Sequence, residues 1–222
     1  MVFAFRSKRL AILKEELSKE TKVHTLAFDV RNKEEVFKAV ASLTDEFSAI
    51  DILINNAGNA HGLEPIDEGN PDDWDAMLDI NVKGLLYVSK AIMPKMIEKK
   101  SGHIINIGST AGKEVYPKGN VYCASKHAVD AITQGMLIDL NPYGIRVGAV
   151  NPGMVETEFS EVRFKGDQER AENVYKGFEP LQPEDIADII HFVVTRPYHV
   201  NIADLTVMST AQASSTIVNK NI

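Results

Sequence analysis

Tyr122 and Lys126 stand four residues apart in a stretch whose apolar spacing predicts a helix over 119–140, so they share one face of it. A free tyrosine has a pKa near 10 and is a poor base at neutral pH. A lysine ammonium beside it favours the phenolate and lowers that value. A tyrosine tuned in this way can take the proton of an alcohol as the carbinol carbon is oxidised, and can return it to a carbonyl oxygen in reverse. Ser109 closes the preceding apolar run and can donate a hydrogen bond to the same substrate oxygen. Tyr-x-x-x-Lys alone equally describes an ordinary pair on a helix surface, so the elements around it decide.

Those elements alternate regularly. Apolar runs at 23–28, 50–54, 104–107, 145–150 and 205–208 read as strands, and 2–5 as a possible strand end. Between them, helical patterns cover 7–20, 32–47, 70–99, 119–140, 167–175 and 183–194. Asn70-Pro71-Asp72-Asp73 is a strong helix start: a capping side chain, proline at the first helical position, then acids where the helix dipole favours them. Strands alternating with helices predict right-handed crossovers and a parallel, doubly wound α/β sheet. Ligands bind beyond the carboxyl ends of such strands. Polar or glycine-rich turns stand at those ends: Asp29-Val30, Asn55-Asn56-Ala57-Gly58, Ser109-Thr110-Ala111-Gly112 and Asn151-Pro152-Gly153. Any one of them is what every α/β loop offers; together they point to one composite site.

Composition narrows the class. Of 222 residues 44% are hydrophobic and 25% charged, an ordinary balance for a single domain, and the net charge of −7 argues against nucleic-acid or anionic-membrane partners. Cys123 is the sole cysteine, which rules out an internal disulfide and fits the cytoplasm. No apolar run reaches the roughly 20 residues that span a bilayer. His61, His103, His127 and His191 have no mutual metal-ligand spacing and read as structural or surface residues, so no metal is expected.

The motifs in order resemble the short-chain dehydrogenase/reductase family: Asn55-Asn56-Ala57-Gly58, then Asn81 within Asp79-Ile80-Asn81-Val82-Lys83-Gly84, then Ser109, then Tyr122-Cys123-Ala124-Ser125-Lys126, then Pro152-Gly153. The resemblance implies a Rossmann-like fold and assigns roles by position. Tyr122 is the acid/base, Lys126 lowers its pKa and binds the nicotinamide ribose, and Ser109 orients the substrate. Asn81 kinks its helix and holds a proton-relay water. Asp29 contacts adenine with Val30 packing beside it, and Asn55 and Ala57 line the adenosine. Pro152 and Gly153 lead to Val155, whose backbone reads the carboxamide, and to Thr157, a cofactor-contacting hydroxyl. Asp29 as a turn cap and Asn81 as a backbone-bonded polar residue remain open beside these roles.

Three segments, 104–112, 158–166 and 181–187, resemble the NADP-dependent 3-hydroxy acid dehydrogenases, which act on L-allo-threonine, serine and related acids. That subgroup implies a substrate carboxylate, and Arg163 in the second segment can bind it through paired, charge-assisted hydrogen bonds. It can equally serve a structural ion pair. Basic residues including Arg6 stand where the family selects its dinucleotide, with no acid, so NADP is expected over NAD. The family also implies a homo-oligomer, a dimer or tetramer.

The first glycine in the sequence is Gly58. The family's opening strand, its phosphate-binding glycine loop and the helix after them have no counterpart, so the expectation is a single domain over 1–222 that is incomplete at its N-terminus. A truncated form of an ordinary enzyme is one reading. A broad carbonyl reductase is another, and a catalytically inactive subunit or scaffold a third.

Overall fold

The computed structural model describes residues 2–4 and 7–220. Among them strands and helices alternate in the expected order: β1 (Val2–Ala4), α1 (Ser7–Leu17), β2 (His24–Leu26), α2 (Lys33–Ala41), α3 (Asp45–Ser48), β3 (Ile52–Asn55), α4 (Pro71–Leu78), α5 (Leu85–Lys99), β4 (Gly102–Ile107), α6 (Asn120–Leu140), β5 (Ile145–Pro152), α7 (Phe159–Arg163), α8 (Gln168–Asn173), α9 (Pro183–Val194) and β6 (Asp204–Val207). Every pairing between these strands is parallel, as crossovers through helices require. The described strands form two sheets: β1 beside β2, and β3-β4-β5-β6 in that order.

The four-stranded sheet is buried on both faces at its centre, so β4 and β5 read as continuous apolar runs. Ile104, Val147 and Leu53 turn to one face, where α5 and α6 contribute Leu85, Ile92, Met96, Val129 and Met136. Ile105 and Val150 turn to the other and meet Val193 of α9. The sheet ends on β3, whose Leu53 is buried while Ile52 and Ile54 are 43% and 42% exposed.

The first helix ends at Leu17 and the strand after it covers only His24–Leu26, both shorter than expected, and three larger differences follow. The helix predicted over 32–47 stops at Ala41, where the Ser42 hydroxyl turns back to the Ala39 carbonyl at 2.7 Å, and a new short helix starts at Asp45 after Thr44. The helix predicted over 70–99 starts as expected, with Asn70 Oδ1 accepting from the Asp72 amide at 3.0 Å. It is then interrupted by a π-turn over Asp79–Gly84. A short helix, α7, stands where a loop was expected after residue 157.

Candidate active site

The carboxyl ends of β3, β4 and β5 converge on the first turns of α6. Gly112 makes this possible: a Cβ there would lie 2.7 Å from the Lys126 carbonyl, so only glycine lets the turn after β4 press against the helix backbone. That contact sets Ser109 beside Tyr122, near enough for its hydroxyl to favour the charged form of the phenol. The Ser109 hydroxyl also accepts from the Ala111 amide at 3.1 Å. Tyr122 is buried, packed among Ala60, Met77, Ala111 and Cys123, with the Phe159 ring of α7 at 5.6 Å.

Lys126 lies one turn along α6, 7% exposed, with Nζ donating to the Ile107 carbonyl at 2.9 Å. Burial pushes its pKa from 10.5 down to about 8. Burial also raises the Tyr122 phenol above its ordinary value, with Tyr116 adding to the rise; the Ser109 hydrogen bond and the Arg163 guanidinium oppose it. Arg163 is thus one cation that favours the Tyr122 phenolate, while the Lys126 ammonium donates to the Ile107 carbonyl.

Asn81 occupies the π-turn and is 2% exposed. Its side chain bonds both backbone groups of Asn59 and, at 3.0 Å, the Ser125 hydroxyl of α6. It therefore ties the loop after β3 to the catalytic helix. Gly58 sits in the same knot, where a Cβ would be 3.2 Å from Asn81 Oδ1 and 3.5 Å from Lys126 Nζ.

Over this centre lies the segment carrying α7. Gly62 donates its amide to the Arg163 carbonyl at 2.9 Å, and Arg163 Nε donates to the Gly62 carbonyl at 3.0 Å. Arg163 Nη1 donates to the Tyr116 hydroxyl at 3.0 Å, and the guanidinium stands 5.6 Å from the Tyr116 ring and 5.7 Å from the Tyr122 ring. Lys165 pairs with Asp73 of α4 at 2.9 Å. Tyr116, Phe159 and Gly62 are parts of the site that the sequence pattern did not single out, because their roles arise from contacts between distant segments.

The sequence matches the short chain dehydrogenase family over residues 1–168. The chain belongs to that family. The NADP-dependent 3-hydroxy acid dehydrogenase YdfG of Salmonella typhi is 45% identical over 209 residues, 94% of this chain and 84% of its own length. Sulfoacetaldehyde reductase 2 of Chromohalobacter salexigens is 43% identical over 211 residues, 95% of this chain and 84% of its own. The solved closed form of serine dehydrogenase, complexed with NADP+, superposes with a TM-score of 0.93 at 43% identity, covering 96% of this chain and 86% of that one.

The other expected residues of this short-chain dehydrogenase fall into two groups. Asp29, Val30, Asn55 and Thr157 are held by the protein itself. Asp29 accepts from the Arg31 amide at 2.9 Å and from its guanidinium at 2.9 Å, a turn cap and an ion pair at once. Val30 packs on the π-turn, where a Cβ on Gly84 would be 2.8 Å from its Cγ2. Asn55 Nδ2 donates to Ser89 Oγ and Asn106 Oδ1, both at 2.9 Å, inside the core. Thr157 Oγ1 accepts from the Phe159 amide at 3.1 Å, starting α7.

Ala57, Pro152, Gly153 and Val155 lie at or just after the ends of β3 and β5. Ala57 is exposed, Pro152 ends β5, and the Gly153 amide donates to the Val207 carbonyl at 2.7 Å. Val155 bridges Leu181 through bonds made by Met154 and Glu156, so its own amide faces away from Leu181. Arg6 lies outside the described residues.

These features fit the nicotinamide end of a dinucleotide. A buried ammonium with one protein acceptor has donors left for a ribose diol. The Val155 amide, turned away from Leu181, remains a backbone donor.

Proposed function

We propose that the protein is an NADP-dependent dehydrogenase that interconverts a 3-hydroxy acid, such as L-allo-threonine, L-serine or 3-hydroxypropionate, with its 3-keto acid. The observation that carries the substrate class is Arg163. Its guanidinium stands 5.7 Å from the Tyr122 ring, and its hydrogen bonds go to neutral acceptors, Gly62 O and Tyr116 Oη. Among the described residues it pairs with no carboxylate within the site. A substrate carboxylate beside the reacting alcohol supplies the anion that this cation lacks.

In oxidation, bound NADP+ would supply the acceptor for the hydride from the carbinol carbon. Ser109 holds the substrate oxygen. Tyr122, deprotonated for this direction, receives the hydroxyl proton; in reduction its phenol returns that proton to the oxygen. Lys126 and Val155 position the cofactor through its ribose and carboxamide, Pro152 and Gly153 shape the turn behind them, and Ala57 lines the adenosine side with Asn55 and Asp29. Asn81 acts through Asn59 and Ser125, keeping the loop and α6 in register. An oxidised α-amino acid then loses CO2 unaided.

Residues 1–222 are read as one domain, working in the cytoplasm as a homo-oligomer. Its support is the exposed Leu86 on α5 and Ile138 on α6, apolar side chains that a second copy would cover. Light scattering of the purified chain checks this.

The testing experiment is NADP+ reduction with L-allo-threonine, L-serine and 3-hydroxypropionate by wild type, Tyr122→Phe and Arg163→Ala. Tyr122→Phe should lose roughly 10²–10⁴-fold in kcat and remain folded. Arg163→Ala should raise KM for the acids far more than for an uncharged secondary alcohol. Comparable turnover in Tyr122→Phe removes the mechanism, and an equal effect of Arg163→Ala on acid and alcohol removes the carboxylate role.

A further inference from the structure

The cleft beside Tyr122 carries three charges besides Arg163 that the reading above does not use, two acids and Lys118. Glu64, Asp73, Lys118 and Arg163 all line it. Asp73 is taken by Lys165 at 2.9 Å. Glu64 feels the same Lys165 charge at longer range but makes no close pair with it. One carboxylate oxygen accepts from the neighbouring Leu63 amide at 2.7 Å, and among the described residues neither oxygen forms an ion pair.

Glu64 and Arg163 reach the same residue. Arg163 Nε bonds the Gly62 carbonyl at 3.0 Å, while Glu64 Oε2 folds against the other side of Gly62, 2.2 Å from where a Cβ would stand. Gly62 tolerates this because it has no Cβ and holds φ at +70°. Yet the acid and the base do not pair with each other. Each instead spends its bonds on neutral groups: Arg163 on Gly62 O and Tyr116 Oη, Glu64 on an amide. The Glu64 carbonyl is itself held by Asn120 Nδ2 at 3.1 Å, two residues before Tyr122, so the acid is fixed relative to the acid/base.

A monoanionic hydroxy acid needs one cation and gains nothing from a carboxylate nearby; like charges in a partly desolvated cleft repel. A zwitterion satisfies both groups, its carboxylate on Arg163 and its ammonium on Glu64. We infer that Glu64 is the residue by which this site selects 3-hydroxy α-amino acids over 3-hydroxy acids that lack the amino group. This rests on the 3-hydroxy acid reading above and narrows it.

The test compares kcat/KM for L-serine and for 3-hydroxypropionate in wild type and in Glu64→Gln, which keeps the shape and removes the charge. The ratio of the two should fall roughly tenfold to a hundredfold, the loss of one charge-assisted hydrogen bond, and should do so through a higher KM for L-serine with its kcat retained. A purely structural Glu64 would depress both substrates together; an unchanged ratio or a common loss overturns the inference.

If wild type oxidises neither compound, the broader reading fails. The inference is then decided by ligand-observed NMR of L-serine and 3-hydroxypropionate with the same proteins. L-Serine binding that is lost in Glu64→Gln supports it. L-Serine that fails to bind wild type, or binds both proteins alike, overturns it.

Discussion

The side chain of Asn81 grips Asn59 at both backbone groups, with Oδ1 accepting from its amide at 2.9 Å and Nδ2 donating to its carbonyl at 2.8 Å. Asn81→Ala removes both partners at a buried point. Each orphaned group costs about 1–3 kcal/mol, so urea unfolding should show a loss of about 2–6 kcal/mol. Asn81→Asp keeps the acceptor and should fall between. Since the same side chain reaches Ser125 on the catalytic helix, kcat should drop in parallel, which steady-state assays of both variants would read.

Lys126 sets a pH limit. Its folded pKa, about 8, lies below the unfolded 10.5, so between those values the unfolded chain binds more protons. Raising pH through that window relieves the burial of the charge and adds stability. The functional effect is opposite in sign, because the site holds an ammonium below about pH 8 and a neutral amine above it. NADPH affinity, followed by nicotinamide fluorescence, should weaken from pH 7 to pH 9.5. Lys126→Met should bind weakly at both, with no such slope.

His103 sets an acid limit. It is 1% exposed at the start of β4, in register with Arg146, and neither ring nitrogen has a hydrogen-bond partner among the described residues. Burial, with the Arg146 charge beside it, lowers its pKa from 6.5 to about 4. The unfolded state therefore binds more protons between pH 6.5 and 4, and stability falls as pH drops through that window. From these two values the loss between pH 8 and pH 5 is about 2 kcal/mol. Urea midpoints should show it in wild type and lose most of it in His103→Phe.

The Lys165–Asp73 pair should matter to motion rather than to stability. One partner is largely exposed, so the pair contributes about 0–1 kcal/mol to folding. It nevertheless fastens the segment carrying α7 to α4. In Lys165→Met, limited proteolysis within residues 157–178 should quicken a few-fold while the urea midpoint stays put. High salt should do the same to wild type.

Residue types and spacing carried the strands, the Asn70 cap and the Ser109–Tyr122–Lys126 set, because each rests on local pattern: apolar periodicity, a cap, a fixed offset on one helix. The features that were illegible rest on distance along the chain. Arg163 meets Gly62 and Tyr116 across a fold that only the whole sheet defines. The break after Ala41 had a faint local sign in Ser42 and Thr44, which periodicity outweighed. Asp29 and Thr157 show the converse: short polar side chains in such loops suit a cofactor and a turn equally, and each makes a turn bond here, Asp29 with the Arg31 amide and Thr157 with the Phe159 amide.

The π-turn at Asp79–Gly84 has a consequence for the phase of the long helix. A π-turn inserts about one extra residue, so everything after it is rotated by roughly 100° relative to an uninterrupted α-helix. Without the extra residue Leu85 would stand about 80° round the axis from Met77; with it the two stay within about 20° of each other. Met77 and Asn81 thereby continue into the stripe of Leu85, Ile92 and Met96, all of it buried against α6 and the sheet. Deleting a single residue from this turn would give a more regular helix whose buried stripe is split in two.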